Sequence, residues 1–467
     1  MIRTVVILLL SVFLSWEAQS PAHAASLGDA SMSTIVSNGP TASRLNVVLL
    51  SEGYRQVEKD RFYTDAQVVV SALLDAEPLR SYARFYNAFG IFVASEDSGS
   101  SHPNSGVLRR TYFNTSYDSY GLTRLLTLPP NDLNPCYAEG EGRVVDLLQQ
   151  WLPDYDLAVV VVNDPEYGGS GGHVLVISTH ALSGLIAVHE QGHTFAHLGD
   201  EYGAAFPAFP DIEEPNTTRE TSRAQIKWRD WIAGVTPVPT PPVASYASSV
   251  GLFEGAHYHD EGWFRPKLDC AMRSLGPPFC DVCAEAIDLS LHRALGTLDS
   301  ISPATKLPVL ASIYGSYEFV LSPILPLGAN GSVLWTLNGV GMKAEEPFRL
   351  LLFGNALTQA TQQLVAHYTL ESPFVKTDPT QLLQGVTGWT IVRDTQRPPT
   401  LGWRWDASGL LRLSWPVSAV GYSLEITTDL ASNVWEKPGG VPIRVGDRWE
   451  QSFSRSSARA LFRLRRP

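Results

Sequence analysis

The chain has 467 residues, of which 44% are hydrophobic and 18% are charged, and it contains twelve tryptophans. This composition is typical of a folded globular protein, and the length favours two or three domains over one. The formal net charge of −12 at pH 7 argues against the basic surface that binds a nucleic-acid backbone, so we expect no nucleic-acid partner.

The first 24 residues have the features of a cleaved signal peptide. Arg3 supplies the positive charge, Val5 to Leu14 are largely apolar, and Ala22-His23-Ala24 is similar to an A-x-A cleavage site. The apolar run is shorter than the ~20 residues that cross a bilayer, which disfavours the alternative of a membrane anchor. No later segment is apolar for long enough to span a membrane. We therefore predict a signal peptide at residues 1–24 and a secreted, extracytoplasmic protein.

The next part of the chain alternates strand-like with helix-like patterns. Val47 to Leu50 and Leu157 to Val162 are continuous apolar runs of strand length. Asp60 to Leu79 and Gly142 to Trp151 have the apolar spacing of helices. This alternation predicts an α/β or α+β domain of catalytic size, which we place at residues 25–300.

The pattern changes near residue 300 to short β-prone segments separated by Gly, Pro and Asn turns. This pattern predicts an Ig-like β-sandwich at residues 301–397. Arg397-Pro398-Pro399 marks a second boundary, and residues 398–467 resemble a small fibronectin-III-like β module. The predicted strands are Val309–Ile313, Tyr317–Leu321, Ser332–Leu337, Trp389–Val392, Leu410–Trp415, Tyr422–Thr427 and Ala460–Leu464.

One segment carries the residues of a metal site. His189-Glu190-x-x-His193 lies in a stretch with helical apolar spacing, in which Ser183 is an early-turn residue. Residues four apart share a helix face, so both imidazoles can bind one zinc ion while Glu190 reaches a zinc-bound water. The alternatives are a chance match on a helix surface and a closed structural site. The apolar helix and the acidic turn after it favour a catalytic zinc centre.

Geometry favours one residue as the third protein ligand. His197 continues the four-residue spacing, but in a continuous helix it would lie ~12 Å from His189, too far to share an ion. Gly199 can adopt the left-handed conformation that ends a helix, which would return Asp200 to the metal. Asp200 is therefore the predicted third ligand. The alternatives that stay open are Glu201, His197, His257 and His259.

The four cysteines are Cys136, Cys270, Cys280 and Cys283. In an exported protein paired thiols persist as disulfides, so disulfides are the preferred interpretation. Cys280-x-x-Cys283, with Cys270 nearby, would alternatively form a thiolate metal site. Export and the lack of a second C-x-x-C motif weigh against that alternative.

Together these segments resemble the bacterial IgA-peptidase-like metalloendopeptidases, a family of zincins. The block from His189 to Tyr202 is similar to the H-E-x-G-H followed by L-x-D-E-Y of that family. The resemblance extends over about residues 45–295. Its further segments, in chain order, are Val48–Tyr54, Ser101–Pro103, Asn163–Pro165, Tyr167–Gly172, Arg265–Arg273 and Cys280–Cys283.

The resemblance implies a zincin-like fold and a zinc-dependent endopeptidase. It implies that His189, His193 and Asp200 hold the zinc ion and that Glu190 is catalytic. It also implies that Met272 forms a Met-turn beneath the metal, as in metzincin-like peptidases; an ordinary core methionine is the alternative. The usual metzincin pattern has a third histidine where Gly199 stands, so the third ligand stays open.

The predicted chemistry is hydrolysis of a protein or peptide substrate. Glu190 would take a proton from the attacking water and pass it to the leaving amine. The candidate donors to the oxyanion are Tyr202, Tyr258 and His257. The strand-like segment His173 to Ser178 is predicted to be the edge that pairs with an extended peptide.

Two other functions stay open. One is a surface adhesin with a structural metal, whose C-terminal β modules contact a surface or glycan. The other is a zinc amidase that acts on cell-wall peptides and shares His189, Glu190 and His193 with a peptidase.

Overall fold

The computed structural model describes residues 30–204, 209–395, 398–454 and 460–466. The predicted signal peptide, residues 1–24, lies outside the described residues, as does Arg397 at the predicted second boundary. Within the described ranges, no helix combines the length and apolar character needed to cross a membrane.

A six-stranded sheet organises the N-terminal half of the chain. Its strands are β1 (Ser31–Val36), β2 (Leu45–Glu52), β3 (Tyr86–Phe92), β4 (Leu157–Val162), β5 (Gly169–Ser170) and β6 (Leu175–Ser178). The strand order is β1-β3-β2-β4-β6-β5, in which the four central strands are parallel and β1 and β5 pair antiparallel at the edges. The carboxyl ends of the parallel strands therefore meet at one edge of the sheet.

Four helices accompany this sheet: α1 (Lys59–Asp75), α2 (Glu141–Trp151), α3 (Ser183–Ala196) and α4 (Asp281–Leu295). Val47 and Leu49 lie in the core that α1, α3 and α4 share, whereas Val48 and Leu50 lie in the core that contains the apolar face of α2. Burial on both faces explains why β2 and β4 are continuous apolar runs. These predicted strands are confirmed, and the helix predicted from Asp60 ends at Asp75.

A hairpin of β7 (Phe253–Ala256) and β8 (His259–Arg265) stands apart from the large sheet. Between α3 and this hairpin, the described residues 197–204 and 209–252 are mostly irregular. Thr218 pairs with Phe264 of β8, which ties this segment to the hairpin.

Two packed sheets follow α4. Their strands are β9 (Leu298–Ser302), β10 (Val309–Ser312), β11 (Ser316–Pro323), β12 (Asn330–Leu337), β13 (Val340–Met342), β14 (Arg349–Phe353), β15 (Thr361–Glu371) and β16 (Gln384–Asp394). The orders are β10-β16-β15-β12-β13 and β14-β11-β9. Phe319, Trp335 and Trp389 pack between them. This is the β-rich architecture that the sequence predicted.

A smaller β unit ends the chain. Its strands are β17 (Gly402–Trp405), β18 (Leu411–Pro416), β19 (Ser423–Thr427), β20 (Ile443–Val445), β21 (Arg448–Phe453) and β22 (Leu461–Arg465). They form sheets of order β17-β18-β21-β20 and β19-β22 around Leu413 and Trp415. The residue boundaries of the three predicted domains stay a prediction.

Helix α4 connects the first region with the packed sheets. The Glu285 carboxylate accepts hydrogen bonds from the backbone N–H groups of Lys376 and Thr377, at 2.7 and 2.8 Å. Asp288 accepts one from the Ser372 hydroxyl at 2.7 Å. One face of α4 therefore meets the sandwich, while its N-terminus extends toward the region described next.

Candidate metal centre

Helix α3 presents the two histidines of the H-E-x-x-H motif side by side. The helix spans Ser183–Ala196, and its Gly184 lies so close to α1 that an added Cβ would be 2.7 Å from the Cβ of Ala72. The four-residue spacing places His189 and His193 on one face. Their Nε2 atoms are 3.2 Å apart.

The end of α3 differs from the prediction. His197, not Gly199, adopts the left-handed conformation, with φ 53° and ψ 36°, and its own ring is exposed. Gly199 instead allows close packing, because an added Cβ would lie 2.6 Å from the Glu214 carboxylate and 2.9 Å from Thr217 Cγ2. The Asn216 amide binds both backbone groups of Gly199, at 2.7 and 2.9 Å. The chain thereby returns to α3 at Asp200.

Asp200 completes a group of three potential ligand atoms. Its Oδ1 lies 3.2 Å from His189 Nε2 and 3.4 Å from His193 Nε2. Ligands at ~2.0–2.1 Å in a tetrahedral zinc site are ~3.3 Å from one another, so all three separations fit that geometry. Asp200 Oδ1 is buried and accepts no hydrogen bond, which a bound cation would remedy. The three side chains thus fit a zinc ion.

Hydrogen bonds hold the side-chain atoms that point away from the centre, namely Nδ1 of each histidine and Oδ2 of Asp200. His189 Nδ1 lies 2.8 Å from the Ala271 carbonyl oxygen, and His193 Nδ1 lies 2.6 Å from that of Leu198. The Tyr258 hydroxyl donates to Asp200 Oδ2. Nδ1–H groups that donate to carbonyls turn Nε2 of each ring toward the centre, where a metal ion would take the place of any Nε2 proton.

Electrostatics within the group also favour a cation. Burial acts to lower the pKa of His193, but the Asp200 carboxylate raises that pKa to about 9. Burial acts to raise the pKa of Asp200, yet the adjoining His189 and His193 rings hold the pKa of that carboxyl well below its usual range. Positive charge therefore collects where a zinc ion would replace it.

Tyr258, which contacts Asp200, lies at the tip of the hairpin in a strained turn. His257 and Tyr258 form the two-residue turn between β7 and β8, with φ of 53° and 60°. This turn type favours Asn and Gly, so two side-chain-bearing residues there need outside support. The backbone N–H groups of His257 and Tyr258 donate to the carbonyls of Asp200 and Tyr202, at 2.9 and 3.2 Å.

The alternative third ligands do not join His189 and His193. His257 is buried, with Nδ1 2.9 Å from Glu214 Oε2 and Nε2 2.8 Å from the Pro210 carbonyl. His259 Nδ1 lies 2.5 Å from the His257 carbonyl oxygen. Glu201 faces the cysteines instead, with Oε1 3.3 Å from Cys283 Sγ.

Glu190 lies under a glycine-rich segment, residues 168–172, which we call the rim. An added Cβ on Gly171 would be 2.5 Å from Glu190 Oε2, so glycine leaves room for that carboxylate. The Thr194 hydroxyl donates to the Gly172 carbonyl at 3.0 Å, which connects the rim to α3. Burial raises the pKa of Glu190, and the charges of His193 and His189 act in the opposite direction.

The remaining motifs meet at the carboxyl ends of β2 and β4. Glu52 is fully buried, and its carboxylate accepts hydrogen bonds from Thr111, Phe113 and Thr115. Asp164 contacts His102, whose Nε2 is 2.9 Å from Oδ2. The ring of His102 stacks on Tyr117 at 4.3 Å, and Tyr117 donates to the Glu166 carbonyl. This network supports the loop that leads into the rim.

The predicted substrate-pairing edge is shorter than expected and is covered. The strand begins at Leu175 rather than His173, and Val176 and Ile177 already pair with β5. The glycine-rich lead-in folds back as β5, and the lack of a side chain at Gly169 allows its close approach to Ile186 and to the Val176 carbonyl of β6. An extended peptide would therefore have to bind along a different edge.

Met272 lies beneath α3. Its Sδ would be 2.5 Å from an added Cβ on Gly192, and the residue is fully buried. The backbone N–H of Glu201 donates to the Met272 carbonyl at 2.8 Å. The segment 270–272 therefore contacts both α3 and the irregular segment that contains Asp200 and Glu201.

The disulfide prediction is wrong for this structure, because all four cysteines are free. Cys136 is exposed, and Cys270, Cys280 and Cys283 are buried together. The Sγ–Sγ distances are 3.7 Å for Cys270–Cys283 and 3.5 Å for Cys280–Cys283, far from the ~2.05 Å of a disulfide bond.

Sequence reasoning missed two contributors to the centre. Asn216, which holds Gly199, also donates to Glu201 Oε1 at 2.9 Å, but a lone asparagine in an irregular segment carries no spacing signal. Helix α4, whose N-terminus carries Cys280 and Cys283, was not recognised either. Its apolar spacing and the acidic Asp281 in its first turn were the available signals.

More than half of the chain matches the model of one protein family. Residues 34–244 and 242–291 match the family described as IgA Peptidase M64. The apo structure of Bacteroides uniformis β-glucuronidase 3 is similar over 44% of this chain and 27% of its own, at 9% identity. Its TM-score of 0.15 is too low to carry an argument. No curated protein matches the chain.

Proposed function

The chain belongs to the IgA peptidase M64 family, and from this premise we propose that it is a secreted, zinc-dependent endopeptidase with a zincin-like catalytic region. The observation that carries the proposal is the convergence of two histidine nitrogens and one carboxylate oxygen within 3.4 Å of one another, next to Glu190 on the same helix. Export rests on the features of residues 1–24.

His189, His193 and Asp200 are the residues that would hold the metal. A bound zinc ion supplies Lewis-acid polarisation of a carbonyl and lowers the pKa of water toward ~7. Three protein ligands leave one position open, as a catalytic site requires. The side chains of His189 and His193 retain 13% and 23% of their exposure, so a substrate can approach that position from solvent.

Glu190 performs the proton transfers in this proposal. It follows His189 directly on α3, and its carboxylate lies below Gly171 at the rim. It takes a proton from the attacking water and delivers it to the leaving amine of the peptide. Burial raises the pKa of Glu190, which favours its holding the proton between the two steps.

The three predicted oxyanion donors have different roles in the proposal. The Tyr258 hydroxyl is bound to Asp200, so Tyr258 positions that carboxylate. His257 is bound by Glu214 and Pro210 and supports the hairpin tip. Tyr202, whose ring meets that of Tyr258 edge-on at 5.4 Å, is the donor we retain.

The substrate class is peptide bonds of extracellular proteins. Family membership favours a peptidase over the adhesin and the cell-wall amidase. No finding supports the predicted contact of the C-terminal β modules with a surface or glycan.

The test compares the mature wild-type protein with Glu190→Gln on a mixture of unfolded proteins. Both should bind zinc at the histidine site, while the variant should lose at least ~10²-fold in cleavage rate. Glu96→Gln, which removes an exposed carboxylate in the same region, is the matched control and should cleave as the wild type does. Unchanged cleavage by Glu190→Gln would overturn the proposed role of Glu190. Zinc binding without cleavage by wild type would overturn the endopeptidase.

A further inference from the structure

A second group of ligand side chains lies beside the first, in the protein core. Cys270, Cys280 and Cys283 are 0%, 6% and 0% exposed, and Glu201 is 0% exposed. One ligand atom from each of these four residues lies within 4.8 Å of all the others. Only Glu201 is adjacent in sequence to a residue of the first group.

Three separations between these atoms, all from Cys283, match the edges of a coordination tetrahedron, and the others lie within 4.8 Å. With Zn–S bonds of ~2.3 Å, two thiolates of one zinc ion are ~3.8 Å apart, and a thiolate and a carboxylate oxygen are ~3.5 Å apart. The observed distances are 3.7 and 3.5 Å between sulfurs and 3.3 Å between Cys283 Sγ and Glu201 Oε1. The two sulfur–sulfur distances are therefore too long for a disulfide bond and close to the spacing of two thiolates on one zinc ion.

Glu201 provides an independent observation. Its Oε2 is buried and has no hydrogen-bond partner, although Oε1 accepts from the Asn216 amide at 2.9 Å. A fully buried carboxylate with an unpaired oxygen is costly unless a cation compensates it. A divalent ion at the centre of the cysteines would supply that compensation.

The number of cysteines argues against a disulfide at this place. A disulfide between any two of the three would leave the third thiol unbonded. The buried Glu201 carboxylate would still have no cation to compensate its charge. Cys136 is exposed, whereas the other three cysteines are buried. Three cysteines and one glutamate, by contrast, make a complete set of four ligands.

We propose that Cys270, Cys280, Cys283 and Glu201 bind a second zinc ion with a structural role. Four protein ligands leave no open position, and burial denies access to a substrate. Thiolate ligands select zinc over calcium or magnesium. The thiols are protected from oxidation after export because they are held on the metal. The inference does not depend on the proposed peptidase activity.

The second ion would brace the first site. The carbonyl of Ala271, next to Cys270, contacts His189 Nδ1 at 2.8 Å. The carbonyl of Met272 accepts from the backbone N–H of Glu201 at 2.8 Å, and the Arg273 guanidinium donates to the Glu201 carbonyl at 2.7 Å. Joining Glu201, Cys270 and the start of α4 through one ion therefore fixes the support of His189.

The experiment measures zinc per chain in the full mature protein and in three variants. Wild type should contain about two zinc ions, and His189→Ala/His193→Ala should retain about one. X-ray absorption of that remaining ion should show sulfur neighbours at ~2.3 Å. Cys280→Ser should lose about one zinc ion, and Cys136→Ser, the matched control, should keep both.

A second measurement does not depend on the folding of a variant. Wild-type protein denatured in chelator without reductant should show four reactive thiols, in line with its four cysteines. A disulfide within the group, or a double-histidine variant that binds no zinc, would overturn the second site. Two zinc ions without any cleavage would instead overturn the proposed function and leave this site intact.

Discussion

Asp200 and Glu201 are consecutive residues that face two different groups of ligand atoms. Asp200 joins His189 and His193, whose side chains are 13% and 23% exposed, whereas Glu201 joins three buried cysteines. Alternation along an extended chain sends neighbouring side chains in opposite directions. An ion with three ligands and access to solvent can take part in chemistry, but an ion with four buried ligands only holds segments together. Access and ligand number, rather than distance from the helix, separate the two proposed roles.

The strongest way to separate the two groups is to remove metal from one of them. A chelator such as 1,10-phenanthroline should release about one zinc ion and reduce cleavage to background, because only the histidine group is reached from solvent. Circular dichroism should be unchanged, and added zinc should restore activity. Simultaneous release of both ions from the folded protein would contradict the difference in access.

Cys283→Ser should have the largest effect on stability. The substitution should remove the metal from the core and leave the Glu201 carboxylate buried without a cation. The free energy of unfolding, measured with urea, should therefore fall by more than ~4 kcal/mol. Cys136→Ser alters an exposed thiol and should change it by less than ~0.5 kcal/mol. Equal effects of the two substitutions would argue that no metal is held in the core.

Two glycine substitutions separate an effect on catalysis at the histidine group from an effect on the stability of the core beneath it. Gly192→Ala places a Cβ 2.5 Å from Met272 Sδ in a packed core and should cost ~1–3 kcal/mol in the free energy of unfolding. Gly171→Ala meets the Glu190 carboxylate at the same distance, but this contact is with the end of a flexible side chain. It should reduce kcat while stability stays within ~0.5 kcal/mol. A loss of stability in Gly171→Ala together with unchanged stability in Gly192→Ala would contradict this prediction.

Tyr258→Phe should have the smallest effect on stability, at most ~1 kcal/mol. It removes the hydroxyl that orients Asp200, so zinc affinity at the histidine group should fall ~10–100-fold, as measured by competition with a chromophoric chelator. Tyr137→Phe, at an exposed tyrosine, is the control. Unaltered affinity would mean that Asp200 is positioned by the backbone alone.

Local patterns predicted the elements that bury a regular face. The strand Leu157–Val162 was predicted with its observed bounds, and α2 starts one residue before the predicted helix. Such segments repeat an apolar pattern with the period of the backbone. Helix α4 was not recognised, although it connects the cysteines with the sandwich.

The left-handed residue after α3 shows the limit of local reasoning. Glycine adopts positive φ at the lowest cost, so Gly199 was the natural choice. The structure uses His197 for that conformation and keeps Gly199 for close packing against Glu214. Propensity was outweighed by a contact with a residue fifteen positions further along the chain.

The sequence by itself determined the pairing of His189 with His193 and the position of Glu190, because a helix sets those relations within five residues. It also determined the family through motifs that stand in a recognisable order. The sequence favoured Asp200 over Glu201 as the third ligand but left Glu201 open, and the tertiary structure placed Asp200 at the histidines. The tertiary structure alone placed three cysteines around Glu201. Those relations join residues up to 82 positions apart, and no local periodicity encodes a contact across such a separation.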